Sequence, residues 1–231
     1  MALALESEYD FRFERKYHVV DYPADEIEAW VLRCPAFFRK AFPPRYINNI
    51  YFDTFSLGNY CQNLAGVANR TKIRIRWYGD LFGLVKQPVL EYKIKRGMVG
   101  TKDSHCLADF QFEEGFNVAN LNEVFAQSDL DEGVRRELSF VTPSLVNRYH
   151  RKYFISADRD YRITIDTGLE FYRIARYHNY FIARRLLLGS TVMELKYSGA
   201  VADLNDGIMN FFPFRVTRMS KYVVGLEMVE L

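Results

Sequence analysis

Along most of this chain apolar and polar side chains alternate with a period of two, the signature of β-strands with one buried face. Such runs predict strands at Phe11–Val20, Tyr46–Thr54, Asn69–Tyr78, Val89–Lys95, Leu107–Phe112, His150–Ser156, Arg162–Thr167 and Thr191–Tyr197. Turn-forming residues separate most of them: Pro43-Pro44, Gly58, Gly79-Asp80, Gly97, Asp158–Asp160 and Gly189-Ser190. Helical spacing is rarer. Pro23-Ala24-Asp25 opens a stretch to Cys34 with Ile27, Trp30 and Val31 on one side, and Asn120–Gln127, Asp131–Phe140 and Ser220–Glu230 are further expected helices. No internal repeat or linker interrupts the chain. The pattern predicts one α+β, mainly-β domain over residues 1–231, with a core from about 11 to 226. Its architecture would be an eight-stranded antiparallel tunnel barrel with a few covering helices.

The polar faces carry an unusual content. In Thr71–Trp77 one face bears Ile73, Ile75 and Trp77, and the other bears Lys72, Arg74 and Arg76. Glu91-Tyr92-Lys93, Glu194-Leu195-Lys196 and Glu14-Arg15-Lys16 divide in the same way, and Arg162, Thr164 and Asp166 oppose Ile163 and Ile165. A solvated strand face mixes Thr, Ser, Gln and charges of both signs, whereas these strands repeat Glu-x-Lys or Arg-x-Arg dyads. The pattern therefore predicts charged faces converging inside the barrel. The apolar faces then turn outward, beneath the helices and an aromatic surplus of 16 Tyr and 19 Phe.

Gathering cations in an interior costs several kcal/mol for each uncompensated ion. Water, interspersed carboxylates or an anionic ligand must neutralise them. A triphosphate or polyphosphate suits such a lining, because Arg grips phosphate with two bonds and Lys acts as a point charge. Glu14, Glu91 or Glu194 could hold Mg²⁺ or Mn²⁺ against phosphate oxygens.

Composition narrows the remaining classes. A net charge of +2 gives no whole-protein field for nucleic acid, and none is expected as a partner. Cys34, Cys61 and Cys106 are scattered, without CxxC spacing, which fits a reducing, cytoplasmic setting. No basic-then-apolar leader opens the sequence, and no apolar run approaches the ~20 residues needed to cross a bilayer. Direct membrane insertion is not expected, although a membrane-bound partner subunit remains compatible. Phosphate-binding glycine motifs, zinc spacing among His18, His105, His150 and His178, and a serine-nucleophile elbow are all missing. Of the four histidines, His105 stands out, because it follows a basic strand.

The dyads, in this order, resemble the VTC domain, the polyphosphate polymerase branch of the triphosphate tunnel, or CYTH-like, metalloenzymes. The resemblance runs from Arg12 to about Gly225. It rests on Arg12–Tyr17, Lys72–Arg76, Leu90–Lys93, Asn147-Arg148-Tyr149, Arg162–Asp166, Met193–Tyr197 and Arg218-Met219-Ser220-Lys221-Tyr222. It implies an eight-stranded antiparallel tunnel in which Lys16, Arg74, Arg76, Lys93, Arg148, Arg162 and Lys196 contact phosphates. Lys102, Arg218 and Lys221 would add further contacts, and Arg74, Arg76, Lys93, Arg148 and Lys196 would form the catalytic set. Glu194 would be the metal carboxylate, with Glu14 a second candidate for Mn²⁺ or Mg²⁺. The implied enzyme is a phosphotransferase that moves the γ-phosphoryl group of ATP onto a growing polyphosphate chain.

Two positions depart from the wider superfamily. Its N-terminal Glu-x-Glu-x-Lys is here Arg12-x-Glu14-x-Lys16, and its late Glu-x-Glu is Glu194-x-Lys196. Both exchange a carboxylate for a cation, which favours holding a long polyanion over two-metal hydrolysis. A triphosphatase and a non-catalytic polyphosphate-binding module are the alternatives.

Overall fold

A computed structural model describes residues 12–96, 99–198 and 206–230. Phe11 and Gly97, which entered the strand expectations, lie outside them. The strands are β1 (Arg12–Val19), β2 (Arg39–Asp53), β3 (Arg70–Tyr78), β4 (Gly83–Val85), β5 (Val89–Arg96), β6 (Val99–Cys106), β7 (Phe110–Phe112), β8 (Thr142–Ile155), β9 (Tyr161–Tyr172), β10 (Arg184–Leu187) and β11 (Thr191–Ser198). The helices are α1 (Ala24–Arg33), α2 (Gly58–Leu64), α3 (Val118–Gln127), α4 (Glu132–Leu138), α5 (Asp206–Met209) and α6 (Lys221–Glu230).

Eight strands form one antiparallel wall in the order β1-β11-β9-β8-β2-β3-β5-β6, with β10 added beside β9. The two ends of this wall approach each other, since Cα atoms of β1 and β6 come within 8 Å. A Lys93–Glu14 ion pair of 3.1 Å ties β5 to β1 near that seam. The expected eight-stranded antiparallel tunnel is the observed fold.

Its membership corrects the sequence in two places. Leu107–Phe112 supplies only β7, half of a small ribbon with β4, and the eighth wall strand is β6. Thr101-Lys102-Asp103-Ser104-His105 has no apolar alternation, so it gave no periodic signal; the ladder to β5 holds it extended. Pro43-Pro44 does not end a strand either. β2 runs through it against β8, absorbing the two prolines with register shifts between Lys40 and Arg45.

The apolar faces turn outward and are covered. Ile73, Ile75, Trp77, Leu90 and Tyr92 pack with Leu121 and Val124 of α3 and Leu138 of α4. Ile163, Ile165, Met193 and Leu195 pack with Ile27 and Val31 of α1. The third cluster is on the inner face, where Tyr222 and Leu226 of α6 join Ile47, Leu145, Tyr149 and Phe171. The start of α6 is fixed by a buried acid on β2: Asp53 accepts a 2.5 Å hydrogen bond from the Tyr222 hydroxyl and bonds from the Asn59 and Tyr60 amides of α2.

Candidate functional site

The odd–even division of the strands decides what faces the tunnel. Lys16 of β1, Lys72, Arg74 and Arg76 of β3, Lys93 of β5, Arg151 of β8, and Glu194 and Lys196 of β11 line one cavity. Tyr51 and Tyr149 lie among them, and Met219, Ser220, Lys221 and Tyr222 close it from the head of α6. Cross-strand register stacks the charges in rows: Lys16 opposes Glu194, Glu14 opposes Lys196, and Lys196 opposes Arg162.

Three buried or half-buried acid centres organise the cations. Glu91, only 3% exposed, accepts from Arg74 Nε at 2.8 Å and Lys102 Nζ at 2.9 Å, with Arg76 Nη1 at 3.6 Å. Burial alone would raise its carboxyl, but Arg74, Arg76 and Lys102 overcome that and hold it at about 2. Asp166, wholly buried, takes both arms of Arg151 at 2.5 and 2.6 Å and Lys221 Nζ at 2.6 Å. At the third centre, Lys16 Nζ sits 2.9 Å from Glu14 and 3.6 Å from Glu194. Glu194 also has Lys196 at 3.7 Å and Lys221 at 3.9 Å. Burial opposes ionisation of Glu194, yet Lys16, Lys221, Lys196 and Arg151 hold it well below the usual carboxylate range. Burial and Glu194 together push Glu14 up, but Lys16, Lys93 and Lys196 bring it to about 2.

Cations still exceed acids. Eight Lys and Arg side chains line the cavity, against the four carboxylates Glu14, Glu91, Asp166 and Glu194 that contact them. The surplus charge faces open space. Tyrosines stiffen the arginines: Tyr51 accepts from Arg74 at 3.4 Å and Tyr149 from Arg76 at 3.4 Å, while Asn49 accepts from Arg76 Nε at 3.1 Å.

The structure gathers Lys16, Arg74, Arg76, Lys93, Lys196, Lys221 and Glu194 from the expected set into one lining, with Glu14 bonded to its edge. Lys102 reaches it through Glu91. Arg162 shares the face but is exposed and outside the cavity, and Arg218 is exposed beside Met219. Arg148 lies on the outer face, its guanidinium 3.8 Å over the ring of Tyr46. The arginine that β8 sends inward is Arg151, which the sequence did not single out; Asp166, expected on the charged face, pairs with it, and Tyr51 and Tyr149 join the lining. Only the face parity of β8, read outward from Tyr149, could have pointed to Arg151. His105 also faces outward, edge-on to Tyr92. Glu91, the third carboxylate considered for a metal, is instead paired with Arg74 and Lys102, with Arg76 nearby.

Among the described residues, no three His, Cys, Asp or Glu side chains converge as a self-sufficient metal site. No helix there is long and apolar enough to cross a membrane. The chain matches none of the curated protein sequences. Among solved structures it is similar to a candidate adenylyl cyclase from Hippeastrum described as having a dominant triphosphatase activity. That likeness is 16% identity over 96% of this chain and 97% of the other, with a TM-score of 0.52. A protein of Pyrococcus horikoshii matches at 14% identity over 94% and 98%, with a TM-score of 0.49. At 16% identity the Hippeastrum likeness speaks to the fold alone. The family model of the VTC domain matches residues 11–230, nearly the whole chain, and the protein belongs to that family.

Proposed function

We propose that this protein is a metal-dependent polyphosphate polymerase, which transfers the γ-phosphoryl group of ATP to a phosphate chain held in the basic tunnel. The observation that carries this reading is the surplus of lining cations over carboxylates, set on rigid strands and directed at open space. Phosphoryl transfer needs positioning and charge stabilisation more than a protein nucleophile, and Arg74, Arg76, Lys93, Lys196 and Lys16 supply both. Arg74 and Arg76 are held by Glu91 and two tyrosines, so they are pre-oriented for equatorial phosphate oxygens. Lys221 and Arg151 form the opposite wall with Asp166 behind them. We assign Lys102, Arg162 and Arg218 to the outer course of a longer chain. Arg148, on the outer face, is left out of the phosphate-binding set.

Glu194 and Glu14 fit a divalent ion only as a shared ligand set. They offer two carboxylates on adjacent strands, both within ion-pair distance of Lys16 Nζ. This suits Mg²⁺ or Mn²⁺, which takes one or two carboxylates and completes its shell with phosphate oxygens and water. Bound there, the ion would neutralise developing charge on the phosphoryl oxygens. The three cysteines form no disulfide, in keeping with a reducing, cytoplasmic setting.

Incubation with ATP and Mn²⁺, followed by separation of phosphate chains from orthophosphate, tests the reading. Long chains that disappear in Arg74→Ala and Glu194→Ala are expected. Orthophosphate alone would convert the assignment to a triphosphatase, the activity attributed to the Hippeastrum protein. Binding of polyphosphate with no product would make the tunnel a binding module.

A further inference from the structure

We propose that Lys72 and Ser220 form a separate phosphoryl subsite in the tunnel, which binds a polyanion together with a proton taken from solution. The inference rests on the reading of the tunnel as a polyanion site and adds to it a residue and a linkage. Every other lining cation has an acid: Lys16 and Lys93 have Glu14, Arg74 and Arg76 have Glu91, Arg151 and Lys221 have Asp166, and Lys196 has Glu194. Among the described residues, no carboxylate lies within 4 Å of Lys72. Its partner is the Ser220 hydroxyl at 3.0 Å, which also lies 3.4 Å from the Val223 amide at the head of α6.

The surroundings of Lys72 are otherwise cationic. Lys16 faces it from β1, Lys93 from β5, Arg70 and Arg74 from its own strand, and Lys221 borders the same cavity from α6. The acids nearest those groups are already committed to them. Burial lowers the affinity of Lys72 for its proton, and Lys16, Lys93, Arg70 and Arg74 lower it further, to about 6. In the ligand-free tunnel at neutral pH, Lys72 is therefore an uncharged amine resting on a hydroxyl. A phosphate chain reverses the sign of the local field. The amine then gains a proton from solvent and becomes an ammonium facing phosphate oxygen, with Ser220 free to donate its own hydroxyl hydrogen. Proton uptake makes affinity fall as pH rises above about 6, until the proton affinity of the bound form is reached.

Calorimetric titration of tripolyphosphate at pH 7.5, in two buffers of different ionisation enthalpy, counts the protons directly. The wild-type protein should take up close to one more proton per ligand than Lys72→Met, about 0.97 for a group that titrates near 6. Lys93, brought to about 8 chiefly by burial and by Lys16, is mostly protonated already at this pH and adds only about 0.2 proton itself, so the difference is carried by Lys72. Lys72→Arg, charged at any accessible pH, should bind tripolyphosphate without the extra proton, which separates the linkage from a merely structural role. Equal proton counts in all three proteins overturn the inference and leave the polyanion site standing. Failure of the wild-type protein to bind tripolyphosphate overturns both.

Discussion

Arg151 and Asp166 meet through two parallel hydrogen bonds of 2.5 and 2.6 Å, between β8 and β9 at directly opposed positions. The same carboxylate holds Lys221 at 2.6 Å, so one buried acid locks both a wall strand and the head of α6. Removing one member of a buried pair strands the other charge away from water, at a cost of about 3–5 kcal/mol. Asp166→Ala is expected to lower the melting temperature by on the order of 10 °C for a chain of this size. Replacing both Arg151 and Asp166 with apolar residues should recover part of that loss. Equal thermal stability of wild type and Asp166→Ala would show that the pair is not holding the two elements together.

Glu91 is one of the depressed carboxylates that set the acid limit of the fold. Burial opposes its ionisation, but Arg74, Arg76 and Lys102 bring it from the ordinary 4.5 to about 2. A carboxyl depressed in the folded state stabilises the protein above its unfolded value and loses that contribution as pH falls through its folded value. The window is therefore about pH 4.5 down to 2, and the amount near neutrality is about 3 kcal/mol. In Glu91→Gln, urea unfolding measured between these pH values should show a shallower loss of stability than wild type. An identical acid limb in the two proteins would refute this assignment.

Much of the tunnel was legible because strand parity is a local property. Lys72-Ile73-Arg74-Ile75-Arg76 assigns its own two faces whatever the strand pairs with, and the same holds for Glu14–Lys16 and Glu194–Lys196. The sequence was silent where tertiary context decides. Arg148-Tyr149-His150-Arg151-Lys152 puts basic groups on both faces, and only the register against β2 and β9 shows that Arg151 enters. The wall strand β6 is polar from Thr101 to His105 and is extended because β5 pairs with it. Helix α2 begins at Gly58, a residue that reads locally as a breaker; the Asp53 carboxylate, accepting from the Asn59 and Tyr60 amides, supplies the cap.

Gly225 is required by close approach. A Cβ there would stand 2.3 Å from Phe171 and 2.6 Å from Leu145, both fully buried on the wall that α6 packs against. Alanine in an open helix position gains up to about 1 kcal/mol over glycine. Here overpacking reverses the sign, and Gly225→Ala should cost about 1–3 kcal/mol. Gly133 in α4 has nothing within 4 Å of the same construction, so Gly133→Ala should be neutral or mildly stabilising. Chemical denaturation of the two variants beside wild type reads both signs.

The outward turn of Arg148 makes the tunnel reading falsifiable by a matched pair of arginines. Arg76 lines the cavity and is aimed by Asn49, Tyr149 and Glu91. Arg148 stacks on Tyr46 on the other side of the same wall. A charge-assisted bond to phosphate contributes about 1.5–3 kcal/mol, so Arg76→Ala should weaken tripolyphosphate binding by at least about tenfold. Arg148→Ala, although it removes the same formal charge, should change affinity by less than about twofold at physiological salt, because its guanidinium stands outside the site, across the wall from the phosphates, where salt weakens its reach. The slope of affinity against salt should also flatten in Arg76→Ala and stay unchanged in Arg148→Ala. Equal losses in the two variants would mean that binding follows net charge, with no contribution from the inward face of the strands.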